Sequence, residues 1–158
     1  MSDQQRARQL WEYGTRLLLE GKADKAVELF TQSIAVYPTA EGYTYRGWAL
    51  SYLGKYDEAI AECHKAIDVD PDFGNPYNDI GVYLMQQGQM EDAIPWLQKA
   101  KLASRYEPRH FPYSNLGTIY ERLGHVRQAI AEFKEALKIE PHHEPAKRAL
   151  ARLQANLN

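Results

Sequence analysis

The sequence has one cysteine and no apolar run long enough to cross a bilayer. Cys63 has no second cysteine with which to form an intramolecular disulfide, so packing alone must stabilise the fold. The apolar run Leu17–Leu19 is far shorter than the ~20 residues that a membrane-spanning helix needs. The polar start MSDQQRARQ lacks the apolar stretch of a secretion signal. We therefore expect a single domain over residues 1–158, located in the cytoplasm and not bound to a membrane.

A charge excess and reactive motifs are also missing. The chain has 19 Lys and Arg residues against 21 Asp and Glu residues, a formal net charge of −2, with no basic patch that would predict nucleic-acid binding. No glycine-rich phosphate loop is present. His142 and His143 are adjacent, whereas metal ligands on one helical face need a spacing of three or four residues. We expect no enzymatic activity, no cofactor and no metal, with these histidines at a solvated helix start.

Two columns of glycine repeat along the chain with successive steps of 33, 34 and 36 residues. The first column is Gly14, Gly47, Gly81 and Gly117. The second column follows seven residues later as Gly21, Gly54, Gly88 and Gly124. Because a glycine inside a helix costs about 1 kcal/mol relative to alanine, the first column indicates close contact between paired helices. We expect these glycines to face the alanines of the next helix, which are Ala26, Ala59, Ala93 and Ala129. The second column is typical of turns.

This pattern resembles the tetratricopeptide repeat family, whose 34-residue helix-turn-helix unit combines large residues with Gly, Ala and Pro at fixed positions. The first repeat matches through Leu10, Tyr13, Gly14, Leu17, Ala26, Phe30, Ser33 and Pro38. The fourth repeat matches through Tyr113, Leu116, Gly117, Tyr120, Ala129, Phe133, Ala136 and Pro141. The resemblance implies an all-α fold, a right-handed α-solenoid of four repeats (7–39, 40–73, 74–109 and 110–142) with a capping helix at 144–157.

Several positions depart from the repeat pattern. Arg46 replaces a leucine of the family, and we expect its aliphatic stem to pack while its guanidinium reaches water. Cys63 occupies a column otherwise filled by large apolar residues, which favours a buried, unreactive thiol. Pro95 falls inside a predicted helix and is tolerable within the first two turns. Two extra residues in the stretch 104–112 predict a longer loop before the fourth repeat.

The resemblance also implies that the first helix of each repeat lines a concave groove. The expected groove residues are Arg8, Trp11, Thr15, Tyr45, Trp48, Tyr52, Asn75, Asn78, Val82, Met85, Phe111, Ser114 and Arg122. Aromatic side chains of this kind are frequent binding anchors, and the amides suit hydrogen bonds to an extended backbone. We therefore expect a non-catalytic interaction module that binds a protein or peptide of unknown identity, in extended or helical form.

Two alternatives remain open at this level. Trp11, Trp48 and Tyr52 are expected to have no role within the chain, but such aromatic residues can also fill space between neighbouring first helices. The chain can instead be a self-assembling scaffold that oligomerises through its convex face or through an uncovered end carrying Trp11, Leu18 and Leu19.

Family members that hold the C-terminal carboxylate of heat-shock chaperones use basic and amide side chains at fixed groove positions. The matching positions here are Trp11, Thr15, Tyr45, Asn75 and Asp79. Since this set lacks a lysine and includes an aspartate, a chaperone tail is not an expected partner.

Overall fold

The structure, a computed structural model, describes residues 1–157, and within this range the chain folds into nine α-helices. Their bounds are α1 Asp3–Leu19, α2 Ala23–Val36, α3 Ala40–Tyr52, α4 Tyr56–Val69, α5 Asn75–Gln86, α6 Met90–Leu102, α7 His110–Arg122, α8 Val126–Ile139 and α9 Glu144–Asn156. Over these residues the chain is an all-α solenoid of four successive helix pairs and a final helix. Asn158, which the predicted domain includes, lies outside the described residues.

Local sequence signals account for where the helices begin and end. Ser2 caps α1 by accepting a hydrogen bond from the backbone N–H of Gln5, and the backbone N–H of Ser2 in turn donates to Oε1 of the Gln5 side chain. Thr39 caps α3 by accepting a hydrogen bond from the N–H of Gly42. Each glycine of the second column lies in the left-handed region, with φ between 76° and 81°, and turns the chain between paired helices.

Three of the four glycines of the first column make room for a large side chain rather than for an alanine. A Cβ placed on Gly117 would lie 2.7 Å from Cε1 of Phe133, and one on Gly14 would lie 2.8 Å from Cε1 of Phe30. Our expectation of a glycine–alanine contact is therefore wrong for these pairs, because a ring fills the space over the missing side chain. Gly47 fits the expectation, since a Cβ placed on it would lie 3.0 Å from the carbonyl oxygen of Ala59.

The odd-numbered helices form the inner side of the solenoid. Each of α1, α3, α5 and α7 has Cα atoms within 8 Å of the next odd-numbered helix. Within residues 1–157, the Cα atoms of successive even-numbered helices stay more than 8 Å apart. A stack whose first helices are closer together than its second helices curves toward the first helices, which therefore line the concave face.

Two basic residues in the helix stack form partly buried ion pairs. The Arg46 side chain is 18% exposed and its Nη2 lies 2.7 Å from Oε2 of Glu62, whose side chain is 8% exposed. Our expectation that this guanidinium reaches water holds only in part, because a buried carboxylate on α4 also binds it. In the same manner, Nζ of Lys101 lies 2.8 Å from Oε2 of Glu132 on α8.

The segment 103–109 between α6 and α7 is anchored to the connection between α4 and α5 and to α3. The N–H of Gly74 donates to the carbonyl of Arg105 at 3.0 Å, and the N–H of Arg105 donates to the carbonyl of Asp72 at 3.0 Å. The Arg105 guanidinium binds the carboxylates of Asp70 (2.6 Å) and Glu41 (2.9 Å). The expected longer loop is present, and these bonds turn it into part of the wall of the concave face.

The remaining departures fit the helices. Pro95 lies in the second turn of α6, which continues through it to Leu102. Cys63 is fully buried, and burial raises the pKa of its thiol well above the ordinary value, which disfavours the reactive thiolate. Helix α9 covers the last pair by packing Ala146 and Leu153 against the cluster around Phe133.

Candidate functional site: a cavity in the concave groove

A cavity of about 430 Å³ opens on the concave face, between α3, α5, the segment 103–109 and the start of α7. Its lining residues are Tyr45, Trp48, Asn75, Asn78, Asp79, Val82, Tyr106, Pro108, Phe111 and Asn115. We call it the groove cavity. Four of these residues are aromatic, and they come from three separate parts of the chain, so the cavity exists only because the solenoid brings these parts together.

Each aromatic side chain of the groove cavity is positioned by a different local contact. Tyr45 packs against Trp11 at a ring-centroid distance of 5.3 Å, and Trp48 packs against Tyr52 at 5.9 Å. Tyr106 is buried beside Gly74, where a Cβ would clash with its ring. Phe111 is exposed in the first turn of α7, with the His110 ring at 4.3 Å. The tyrosines and Trp48 are thus fixed, whereas Phe111 projects into solvent.

The polar side of the groove cavity is a set of amides around one carboxylate. Nδ2 of Asn115 donates to Oδ1 of Asn78 at 3.0 Å, which joins α7 to α5 across the cavity. Asn78 is 7% exposed, and Asn75 stands one helical turn before it at the start of α5. Hydrogen-bonding groups held in this manner can recognise a backbone without adjusting their own positions.

Asp79 carries the only carboxylate in the lining of the groove cavity. Within residues 1–157, no Lys, Arg or His nitrogen lies within 4.0 Å of its oxygens. Burial disfavours the charged form and raises the pKa of Asp79 to about 7, although the Asn78 side chain partly offsets this effect. The half-buried carboxyl group therefore lies in the cavity lining without a compensating charge.

The structure brings together six of the thirteen sequence-predicted groove residues around this one cavity. They are Tyr45, Trp48, Asn75, Asn78, Val82 and Phe111. They lie on three successive first helices, α3, α5 and α7.

The other seven predicted residues lie elsewhere. Arg8 and Trp11 line a separate cavity of about 400 Å³ beside Tyr37. Tyr52 lines one of about 530 Å³ at the turn between α1 and α2. Ser114 and Arg122 line one of about 630 Å³ between α7 and α9.

Thr15 and Met85 line none of these cavities. The Thr15 hydroxyl donates to the carbonyl of Trp11 at 2.9 Å. Met85 packs against the cluster that contains Leu97 and Leu116. The structure therefore gives both side chains a role within the fold.

Trp11 and Trp48 also have a structural role that the sequence interpretation did not assign to them. Both are partly buried and pack against the core cluster that contains Leu18 and Ala49. The expectation that they have no role within the chain is wrong, because the first helices stack closely enough for these rings to fill the space between them. Tyr52 fits the expectation better, since it is 62% exposed.

Four lining residues were missed by sequence reasoning as members of a binding site. Asp79 was considered only as a residue that excludes a carboxylate ligand, and Asn115 was not singled out. Tyr106 and Pro108 belong to the irregular segment before the fourth repeat. The two extra residues of that segment were the sequence feature from which their place in the lining could have been predicted.

Neither a metal-binding cluster nor a membrane-spanning helix occurs among the described residues. Among residues 1–157, no group of three or more His, Cys, Asp and Glu side chains is arranged to hold a metal ion. None of the helices in this range combines the length and apolar character needed to span a membrane.

The stacked helix pairs, the glycine turns and the concave surface of first helices define a helical-repeat protein. Two sequence models of the tetratricopeptide repeat match the chain, one over residues 40–73 and one over residues 72–140, which together cover 101 of its 158 residues. The chain belongs to the tetratricopeptide repeat family. Domains of this family are protein-interaction modules that bind proteins or peptides and are generally non-catalytic.

Known proteins agree with this assignment. Small glutamine-rich tetratricopeptide repeat-containing protein 2 of Mycosarcoma maydis is 30% identical over 98 residues, which are 61% of this chain and 28% of that protein. The chain thus spans little more than a quarter of the length of that relative.

Solved structures show the same fold. The pilF structure of Pseudomonas aeruginosa superposes with a TM-score of 0.89 and 21% identity, over 97% of this chain and 70% of that one. PilW, a type IV pilus biogenesis factor, superposes with a TM-score of 0.86 and 20% identity, over 96% of this chain and 70% of that one. At these identities the likeness concerns the fold alone.

Proposed function

We propose that this chain is a non-catalytic adaptor, working in the cytoplasm, whose groove cavity binds an exposed segment of a partner protein. The observation that carries the proposal is the position of the cavity. It lies on the concave face and combines aromatic walls with fixed amides and a carboxylate. Large aromatic surfaces surrounded by hydrogen-bonding groups are the usual composition of a binding hot spot.

The dimensions of the groove cavity favour one or two side chains of an extended segment rather than a whole helix. A volume of about 430 Å³ is at the lower end of the range for sites that enclose a small ligand, roughly 300–1,000 Å³. Asn75 and Asn78 lie one turn apart on the same helix, where their amides can bond to successive backbone groups of a ligand that crosses α5.

A chaperone-type C-terminal carboxylate is excluded from this proposal. The groove cavity has no basic side chain in its lining, and the carboxylate of Asp79 would repel a second carboxylate. One protein similar to this chain is named Heat shock protein STI1, at 45% identity over 79 residues, and that similarity does not extend the proposal to its partners.

The proposed site is tested with peptides selected against the immobilised protein from a random extended library. We expect Trp48→Ala to weaken binding of the selected peptides at least tenfold in fluorescence anisotropy, because it removes one aromatic wall of the groove cavity. Because Trp48 also packs against the core cluster of Leu18 and Ala49, the melting temperature should fall as well, by ~2–4 °C for each kcal/mol lost in a chain of this length. Binding is therefore compared at a temperature where both proteins are fully folded.

The matched control is Trp96→Ala, which removes a partly buried tryptophan from α6. Trp96 stacks on Tyr77 and packs outside the groove cavity, so this variant should bind the selected peptides like the wild type. Equal affinity of all three proteins would place the binding surface elsewhere and refute the proposal.

A second candidate function, self-assembly, is favoured by one apolar patch at the turn side of the first two helix pairs. Leu19 (71% exposed), Tyr52 (62%) and Leu53 (37%) line the same cavity there. The uncovered end is a weaker candidate than the sequence predicted, because Leu18 is only 4% exposed. Sedimentation velocity at rising concentration tests this function. A dimer that Leu19→Ser abolishes would support it, and a strict monomer would remove it.

A further inference from the structure

We propose that the groove cavity recognises a positively charged side chain, an arginine or lysine of the partner segment, with the Asp79 carboxylate as its counter-ion. The inference rests on the proposed function and specifies the chemistry of the ligand. Asp79 lies among the aromatic residues Tyr45, Trp48, Tyr106 and Phe111 in the lining of one cavity.

Asp79 is half-buried and differs from two other carboxylates that lie within the helix stack. Glu62 is paired with Arg46 and Glu132 with Lys101, each at 2.7–2.8 Å. Buried charges in folded proteins are normally paired in this way, because an unpaired one loses its hydration without compensation. An unpaired carboxylate that opens onto a concave cavity therefore points to a cation supplied from outside the chain.

The basic side chains nearest in sequence to the cavity wall are committed to other contacts. The Arg105 guanidinium is bound by Asp70 and Glu41 and lies over the Phe73 ring at 4.2 Å. Nη1 of Arg109 donates to the carbonyl of Lys101 at 2.6 Å. Neither residue lines the groove cavity, so the place opposite Asp79 is open to a ligand.

The aromatic lining matches the same kind of ligand. A guanidinium or ammonium group is attracted to the face of an aromatic ring, and its aliphatic stem packs against the ring edges. The protein already holds cations in this way, since Nζ of Lys101 lies 4.3 Å from the centre of the Tyr113 ring. An apolar ligand side chain would use the rings but would leave the Asp79 carboxylate unpaired on binding.

The inference is tested with the peptides selected against the wild-type protein. Arginine or lysine should be enriched at one position of the selected peptides. Replacing that residue by neutral citrulline, or by glutamine for lysine, should weaken binding at least tenfold, equivalent to about 1.4 kcal/mol. Asp79→Asn should cause a similar loss for the charged peptide and little loss for the neutral one. The matched control Asp68→Asn, at an exposed position of α4, should bind the charged peptide like the wild type.

The possible results separate this inference from the proposed function. Peptides that depend on Trp48 but show no basic enrichment, and that bind wild-type protein and Asp79→Asn equally, would overturn the inference and leave the proposed function intact. A protonated Asp79 that donates a hydrogen bond to a peptide carbonyl would give that result. Peptides indifferent to both Trp48 and Asp79 would overturn the proposed function as well.

Discussion

Position 117 shows how a single missing side chain fixes the distance between two helices. The ring of Phe133 lies where a Cβ on residue 117 would be. We expect Gly117→Ala to destabilise the protein by about 1–3 kcal/mol, the usual cost of overpacking a filled core. Chemical denaturation measures this change in the free energy of unfolding. The effect should shrink in a Phe133→Ala background, where the added methyl group meets no ring. Equal effects in both backgrounds would show that the glycine is needed for another reason.

Asp79 links the candidate site to stability through its protonation. The pKa of this carboxyl is about 7 in the folded protein and near 3.8 in the unfolded chain. The folded state therefore holds the proton more tightly. The stabilisation that comes from proton binding by Asp79 is fully present below about pH 4 and is lost as the pH rises through 7. We expect Asp79→Asn to melt at a higher temperature than the wild type at pH 8, with the difference disappearing near pH 4.

The groups around Asp79 do not confuse this measurement. Tyr45 on α3, Cys63 on α4, Tyr83 on α5 and Tyr106 beside α7 all have pKa values raised mainly by burial, so they stay neutral to beyond pH 8. Comparison of the two proteins at each pH cancels the titration of distant groups. An unchanged difference in melting temperature between pH 4 and pH 8 would show that Asp79 does not bind its proton unusually tightly.

The sequence gives an uneven view of these residues. The second glycine column predicted the turns, because left-handed backbone is a local property of glycine. The partner of the first column was predicted wrongly for Gly14 and Gly117 and correctly for Gly47, since spacing tells which residues share a face but not which of them reaches across. In the sequence, Asp79 is one acidic residue within a helix. Only the folded structure shows that, among residues 1–157, no basic side chain pairs with its carboxylate.

At the scale of secondary-structure elements, the segment 103–109 matters most for the site. The extra residues and the missing repeat proline predicted a longer loop there. Its backbone bonds to Asp72 and Gly74 join residues that are far apart in sequence, and no local pattern encodes them. This is why the helices could be predicted well, whereas the wall formed by Tyr106 and Pro108 could not.

The anchoring of this segment can be tested with Arg105→Ala. The variant loses the ion pairs with Asp70 and Glu41. Because the Arg105 side chain is about half exposed, these pairs contribute roughly 0–1 kcal/mol to global stability. We expect the backbone amides at positions 74 and 105 to exchange faster with solvent, while the global free energy of unfolding changes little. Peptide affinity should fall, because the wall of the groove cavity loosens.

Arg127→Ala, at an exposed position of α8, is the matched control for this variant. It should leave both amide exchange rates and peptide affinity at the wild-type level. If Arg105→Ala behaves in the same way as the control, the segment is held by its backbone and by Tyr106 alone.

At the scale of the whole molecule, the curvature of the stack creates the site. Each helix pair contacts its neighbours along the chain, and the closer approach of the odd-numbered helices turns their exposed faces toward one another. The repeat pattern predicted this architecture because eight glycines and the large and small columns recur in step. Which part of the groove is deep enough to hold a ligand depends on the one irregular junction, and repetition carries no information about it.

The central claim is that a partner segment binds on the concave face between α3, α5 and the segment 103–109. Hydrogen–deuterium exchange of the protein with and without a saturating selected peptide tests it most directly. The account predicts slower exchange in α5 and in residues 103–109, with unchanged exchange in α2, α4 and α8 on the outer side. Slower exchange confined to those outer helices, with the groove unaffected, would contradict it.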